Sequence, residues 1–150
     1  LSGGAGGDDT LKGKNGDDQL LDEAGEDRLQ GGRGDDALFG GADDDLLIGG
    51  HDDDTLTGGE GGDRFVFRGR CDDNVITDLT FADGDEIKIS GQRLINSEAD
   101  LISFAERLNE DNKQSTLATI EGDDLRLDTG QSEILIENVA SDWAEGLLLA

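Results

Sequence analysis

Between Leu11 and Phe65 one large apolar residue recurs at every ninth position: Leu11, Leu20, Leu29, Leu38, Leu47, Leu56 and Phe65. Two residues before each stands an aspartate: Asp9, Asp18, Asp27, Asp36, Asp45, Asp54 and Asp63. In frames of nine counted from Gly4, these are the eighth and sixth columns, and both hold in every frame. The first column is glycine except at Asp22, and the fourth reads Gly7, Gly16, Gly25, Gly34, Asp43, Asp52, Gly61. The fifth column is acidic until Gly62.

A period of nine fits neither an amphipathic helix nor a long alternating strand. Glycines in the first half of each frame would also break such a strand. Each frame therefore divides into a turn of six residues, where glycine and aspartate supply positive φ, and a strand of three with its leucine inward. Two frames complete one lap of 18 residues. Successive laps stack as parallel strands about 4.8 Å apart. The prediction is an all-β dominated chain whose residues 1–67 form a parallel β-roll with two short strands per lap.

After Phe67 the pattern changes. "NVITDL" (74–79) and "EIKIS" (86–90) alternate as strands do. "SEADLISFAERL" (97–108) predicts an amphipathic helix with Ser97 as N-cap and Leu101, Phe104, Ala105 and Leu108 on one face. "TLATI" (116–120), "LRL" (125–127) and "EILIENV" (133–139) predict further strands, and Trp143 and Leu147–Leu149 add apolar bulk for a core. Residues 68–150 thus read as a β-rich cap with one helix. A stacked coil needs one, because its last lap exposes an open sheet edge and an apolar end. Ile48 and Val66, on the outer face of one sheet, are candidates to dock against it.

Charge sharpens this picture. The net charge is −25, of which residues 1–66 carry −13 from 18 acidic and 5 basic side chains. Nucleic acid and anionic membrane surfaces call for basic patches and are excluded as partners. Membrane insertion is not expected, since no apolar run approaches about 18 residues. Cations are the expected partners. The single Cys71 cannot form an internal disulfide. A chain that opens at Leu1 and holds no methionine is expected to be part of a longer protein, with further domains on its N-terminal side.

Stacking supplies the chemistry. Frame n lies against frame n+2, so Asp9 meets Asp27, Asp18 meets Asp36, Asp27 meets Asp45, Asp36 meets Asp54, and Asp45 meets Asp63. Carboxylates about 5 Å apart repel by roughly 1 kcal/mol in water and by more when partly dry. A hard divalent cation reverses the sign. Ca²⁺ accepts six to eight oxygens in a tolerant geometry, whereas Mg²⁺ demands a tighter octahedron. Up to five ions fit between frames. The candidate metal ligands are the seven sixth-column aspartates together with turn residues Gly7, Gly16, Gly25, Gly31, Arg33, Asp35, Gly40, Ala42, Asp44, Gly49, His51, Asp53, Gly58, Glu60 and Gly62. The third frame, "DEAGEDRLQ", lacks both leading glycines and should hold the weakest turn. The "ADGDE" turn (82–86) reads as a solvated acidic turn or one further cation site. One leucine per nine residues is a thin core against the cost of ordering the backbone, so residues 1–66 are expected to fold only with calcium.

The pattern G-G-x-G-x-D-x-U-x over residues 4–66 resembles the calcium-binding nonapeptide repeat of RTX proteins. "GGEGGDRFVF" (58–67) is similar to the closing repeat of that family. More loosely, "DGDEI" (83–87) and "EILIENV" (133–139) resemble the region that follows such repeats in secreted proteases and lipases. The resemblance implies a right-handed coil and an extracellular location in a Gram-negative bacterium. It also implies export by type I secretion machinery, with "EGLLLA" (145–150) either an uncleaved signal or a last core strand. Two other functions compete with this one. An enzyme is disfavoured by the absence of H-E-x-x-H, G-x-S-x-G or a phosphate loop, with His51 the only histidine. A polysaccharide-binding or adhesin module would need a basic stripe, and residues 1–66 offer only Lys12, Lys14, Arg28, Arg33 and Arg64.

Overall fold

The computed structural model describes residues 1–68, 73–90, 94–111, 118–121, 123–128 and 133–138. The repeats form strands β1 (Thr10–Asn15), β2 (Gln19–Leu21), β3 (Arg28–Arg33), β4 (Ala37–Ala42), β5 (Leu46–His51), β6 (Thr55–Glu60) and β7 (Arg64–Phe67). Odd strands stack into one sheet and even strands into the other. All pairing within the roll is parallel, with Leu11 on Leu29, Leu29 on Leu47, Leu20 on Leu38 and Leu38 on Leu56. Each lap is therefore 18 residues, and the chain is a parallel β-roll as its periodicity predicts.

Most of these strands are six residues long rather than three. A glycine-containing half-frame makes a poor isolated strand, but the lap above supplies partners for its backbone, as in Gly32 on Gly50 and Gly41 on Gly59. β2 is the shortest, at three residues. It stops at Leu21, immediately before Asp22 replaces the first-column glycine. The shortened strand is the local cost of losing both glycines.

The apolar column lines the interior. Leu20, Leu29, Leu38, Leu47, Leu56 and Phe65 are wholly buried, as are Ile76 and Ile87 above them. Those two belong to β8 (Asp73–Ile76) and β9 (Glu86–Ile89), which continue the coil beyond the repeats. Leu56 pairs with Ile76 and Phe65 with Ile87, so the lap lengthens by two and then four residues without losing its inward column. Ile48 and Val66 are also buried, on the face opposite Leu47 and Phe65.

The remaining elements cover the upper edges. They are α1 (Glu98–Asp111), β10 (Ala118–Glu121), β11 (Asp124–Asp128) and β12 (Glu133–Ile136). β12 lies parallel on β8, and β11 and β10 follow antiparallel, extending the even sheet to seven strands. Over the odd sheet, Ile87 and Ile95 exchange two backbone hydrogen bonds. Leu101, Phe104, Leu125, Leu127, Ile134 and Ile136 merge with the leucine column into one core. Ser97 caps the helix as expected, its Oγ accepting the Asp100 N–H at 3.2 Å. Cys71, Trp143, Leu147–Leu149 and the "EGLLLA" tail lie outside the described residues, as do the side chains of Ala105 and Leu108.

Truncating one column member should be costly, because neighbouring laps hold the void open. Leu38→Ala is expected to lower stability in saturating calcium by about 2–5 kcal/mol, read from urea denaturation. A loss below about 1 kcal/mol would show that the roll is not packed around this column.

Candidate metal centres

Each corner of the roll carries a column of aspartates, and backbone geometry locks these columns together. The Asp9 N–H donates to Asp27 Oδ1 at 2.7 Å, and Asp18 to Asp36 at 2.8 Å. Asp27 donates to Asp45, Asp36 to Asp54 and Asp45 to Asp63 in the same way, at 2.8, 3.1 and 2.9 Å. The carbonyls of these aspartates accept the first N–H of the strand one lap on, for example Leu46 to Asp27 at 2.9 Å. Every rung thus places a carboxylate beneath the next.

The second carboxylate oxygen is left over. Oδ2 of Asp27, Asp36, Asp45, Asp54 and Asp63 is buried and has no hydrogen-bond partner. In the last four of these it sits over the first-column glycine five residues earlier. A Cβ added at Gly31, Gly40, Gly49 or Gly58 would overlap Oδ2 of Asp36, Asp45, Asp54 or Asp63 respectively. The strand pairing skips this column, passing from Gln30 to Gly32 and from Phe39 to Gly41. At those four positions the missing side chain leaves the room that the carboxylate occupies.

A buried anionic oxygen with no donor is costly and must acquire a proton or a cation. Burial, reinforced by the like charges of Asp63 and Asp27, pushes Asp45 up to about 7. Burial likewise raises Asp54 to about 7, with Asp36, Asp35 and Asp52 adding repulsion, and Asp63 to about 6, with Asp85 and Asp78 adding to it. Asp36 is shifted upward for the same leading reason. Stacked carboxylates with orphaned oxygens among turn carbonyls suit a hard oxygen-seeking ion such as Ca²⁺, which needs no fixed geometry.

The other candidate residues fall into three groups. Gly7, Gly16 and Gly25 occupy positive-φ turn positions, and Asp43 and Asp52 adopt the same left-handed backbone at φ 78° and 74° in the later frames. The carbonyls of Arg33 and Ala42 accept the N–H of Gly16 and Gly25 at 2.8 and 3.2 Å. The side chains of Arg33, His51 and Glu60 are exposed. The fifth-column acids bind backbone between laps: Asp35 Oδ1 accepts the Asp53 N–H at 3.1 Å, Asp44 Oδ1 that of Gly62 at 2.8 Å, and Asp53 Oδ1 that of Asp73 at 2.8 Å. Asp9 and Asp18 are half-buried.

The sequence reading missed the continuation of the ladder. Asn74 Oδ1 accepts the Asp54 N–H at 3.3 Å, and Asp85 Oδ1 accepts that of Asp63 at 2.9 Å. Both are buried. Asp85, within the "ADGDE" turn, is neither solvated nor short of partners, because its Oδ2 accepts the Thr80 N–H at 2.7 Å. Asp78 accepts the N–H groups of Gly58 and Gly59 at 3.0 and 2.9 Å. The signal was present: Asn74 and Asp85 each precede an inward isoleucine by two residues, and only the interval had changed.

A parallel roll whose corners carry stacked, cation-demanding aspartates defines a class of metal-binding repeat module. Residues 3–38 and 30–65 each match the model of the RTX calcium-binding nonapeptide repeat, which spans four copies. Residues 3–65 are therefore RTX repeats, and the roll is a calcium-binding module. No curated protein matches the chain.

Two predictions follow from the orphaned oxygens. In EDTA, carboxylates raised to about 6–7 when folded bind more protons than in the unfolded chain, where they titrate near 4. Ion-free stability is then present at acid pH and lost as pH rises through that window. The far-UV β signal in EDTA should be larger at about pH 4.5 than at about pH 8, and equal signals would show that the carboxylates are not buried together. The second concerns Gly49→Ala, whose methyl would displace the Asp54 carboxylate without straining φ. It should weaken calcium binding by roughly 10-fold or more at one site in a calorimetric titration. An unchanged isotherm would place the ions elsewhere.

Proposed function

We propose that residues 1–67 are a folding switch that calcium closes outside the cell, within a larger protein exported by type I secretion machinery. The observation that carries this reading is the row of buried, partnerless Oδ2 atoms from Asp27 to Asp63. Without a counter-ion at neutral pH those oxygens oppose the stacked state, and with one they hold it together. Calcium sites of extracellular modules work at about 10⁻⁴–10⁻³ M, far above cytosolic levels. An unfolded chain inside and a folded one outside suits passage through a narrow channel.

Family likeness supports the rest of the reading. RTX repeats are typical of secreted bacterial proteins, and among the described residues no helix is long and apolar enough to cross a membrane. In this reading the module stabilises attached N-terminal domains and performs no catalysis itself. The carboxylate pairs that a hydrolase would need free are bound into the inter-lap ladder.

The test is circular dichroism and small-angle scattering of the chain at about pH 7.5, first in EDTA and then with millimolar Ca²⁺. The expected outcome is an expanded chain of low β content that becomes compact and β-rich on adding calcium, while equimolar Mg²⁺ does little. A compact β-rich chain in EDTA would overturn the switch. Asp45→Asn should raise the calcium midpoint several-fold by removing one carboxylate from two adjoining rungs.

A further inference from the structure

The third frame departs from the repeat in a way that creates something new. Where other frames have a first-column glycine, this one has Asp22. Its side chain does not swing into solvent; Asp22 is only 7% exposed. It lies over Gly3, where an added Cβ would overlap its carboxylate. Oδ1 accepts the Glu23 N–H at 3.0 Å, while Oδ2 is buried without a partner. Beside it stand Asp27, with its own orphaned Oδ2, and Asp9. One oxygen from each of the three lies within 4.8 Å of the others.

That spacing matches a coordination sphere. Oxygens bound to Ca²⁺ at about 2.3–2.6 Å stand at most about 4.6–5.2 Å apart. Burial, together with the charges of Asp27, Asp9 and Glu23, raises the Asp22 carboxyl. Among the described residues this is the one group of three or more acidic, histidine or cysteine side chains with ligand atoms so close. Elsewhere a rung offers a pair of stacked aspartates over glycine.

We propose that Asp22 is a direct ligand that converts the Asp9–Asp27 rung into a tricarboxylate site, the tightest cation site of the roll, selective for hard ions of high charge. This rests on the calcium reading of the repeats and adds a ligand that the repeat pattern does not contain. The frame expected to be weakest becomes an anchor that ties together the laps carrying Asp9 and Asp27.

The experiment is calorimetric titration of the full chain with Ca²⁺, and separately with Tb³⁺ read by its luminescence, for wild type, Asp22→Asn and Asp22→Gly. Asp22→Gly restores the repeat glycine and keeps the turn foldable. Wild type should show one class tighter than the rest, with a larger Tb³⁺ preference over Ca²⁺. Both variants should weaken that class by roughly 10-fold or more and leave the others in place. If both variants match wild type, or only Asp22→Gly changes, Asp22 is not a charged ligand and the proposal fails while the repeat reading stands. If both lose every class together, Asp22 is structural and the proposal also fails. If wild type binds neither ion, the calcium reading itself falls.

Discussion

The roll depends on one arrangement: an aspartate whose Oδ1 is tied to the backbone of the lap below while its Oδ2 is buried with nothing to bind. The first half of this arrangement sets register. A backbone N–H donating to the next aspartate one lap on leaves little freedom to slip, and the inward leucines enforce the same alignment. The second half sets conditionality. A charged oxygen in a water-poor corner opposes folding unless something positive joins it, so the corner carries a demand for a cation.

Glycine is what makes the corner possible. At the first column the requirement is space rather than backbone conformation, since any Cβ at Gly49 or Gly58 would collide with the carboxylate that belongs there. At the fourth column the requirement is a left-handed turn, and Asp43 and Asp52 adopt it too. The two kinds of column tolerate different substitutions. The roll accepts aspartate in either place, but in the first column the new side chain must find room, and at Asp22 it does so among other acids.

Much of this was legible from residue spacing. The nine-residue phase of Asp and Leu specified the 18-residue lap, the parallel stacking and the pairing of aspartates, because only a coil of that length keeps both columns in line. The helix start at Ser97 and the β12 strand were readable from local capping and alternation. What escaped was non-periodic. The ladder continues through Asn74 and Asp85 at intervals of 20 and 22 residues, so a search locked to nine ends at Phe67. The role of Asp22 escaped too, since a lost glycine reads as a weak turn until its side chain is seen buried against Asp9 and Asp27. Strand length was underestimated because the partner that lets glycine extend a strand sits one lap away.

Beyond the repeats the demand for positive charge falls away along the coil. The last even rung replaces aspartate with Asn74, which provides the same Oδ1 acceptor without charge. The last odd rung keeps Asp85 but satisfies both of its oxygens with the N–H groups of Asp63 and Thr80. Asp78 spends its carboxylate on Gly58 and Gly59. Each device removes the orphaned oxygen that the earlier rungs retain. The coil next to β12 and the helix is therefore held by hydrogen bonds and a widening apolar core, whereas the laps from Asp27 to Asp63 retain an unmet demand for positive charge. A module built this way sets its cation-demanding laps against a lap in which Asn74, Asp78 and Asp85 already have hydrogen-bond partners.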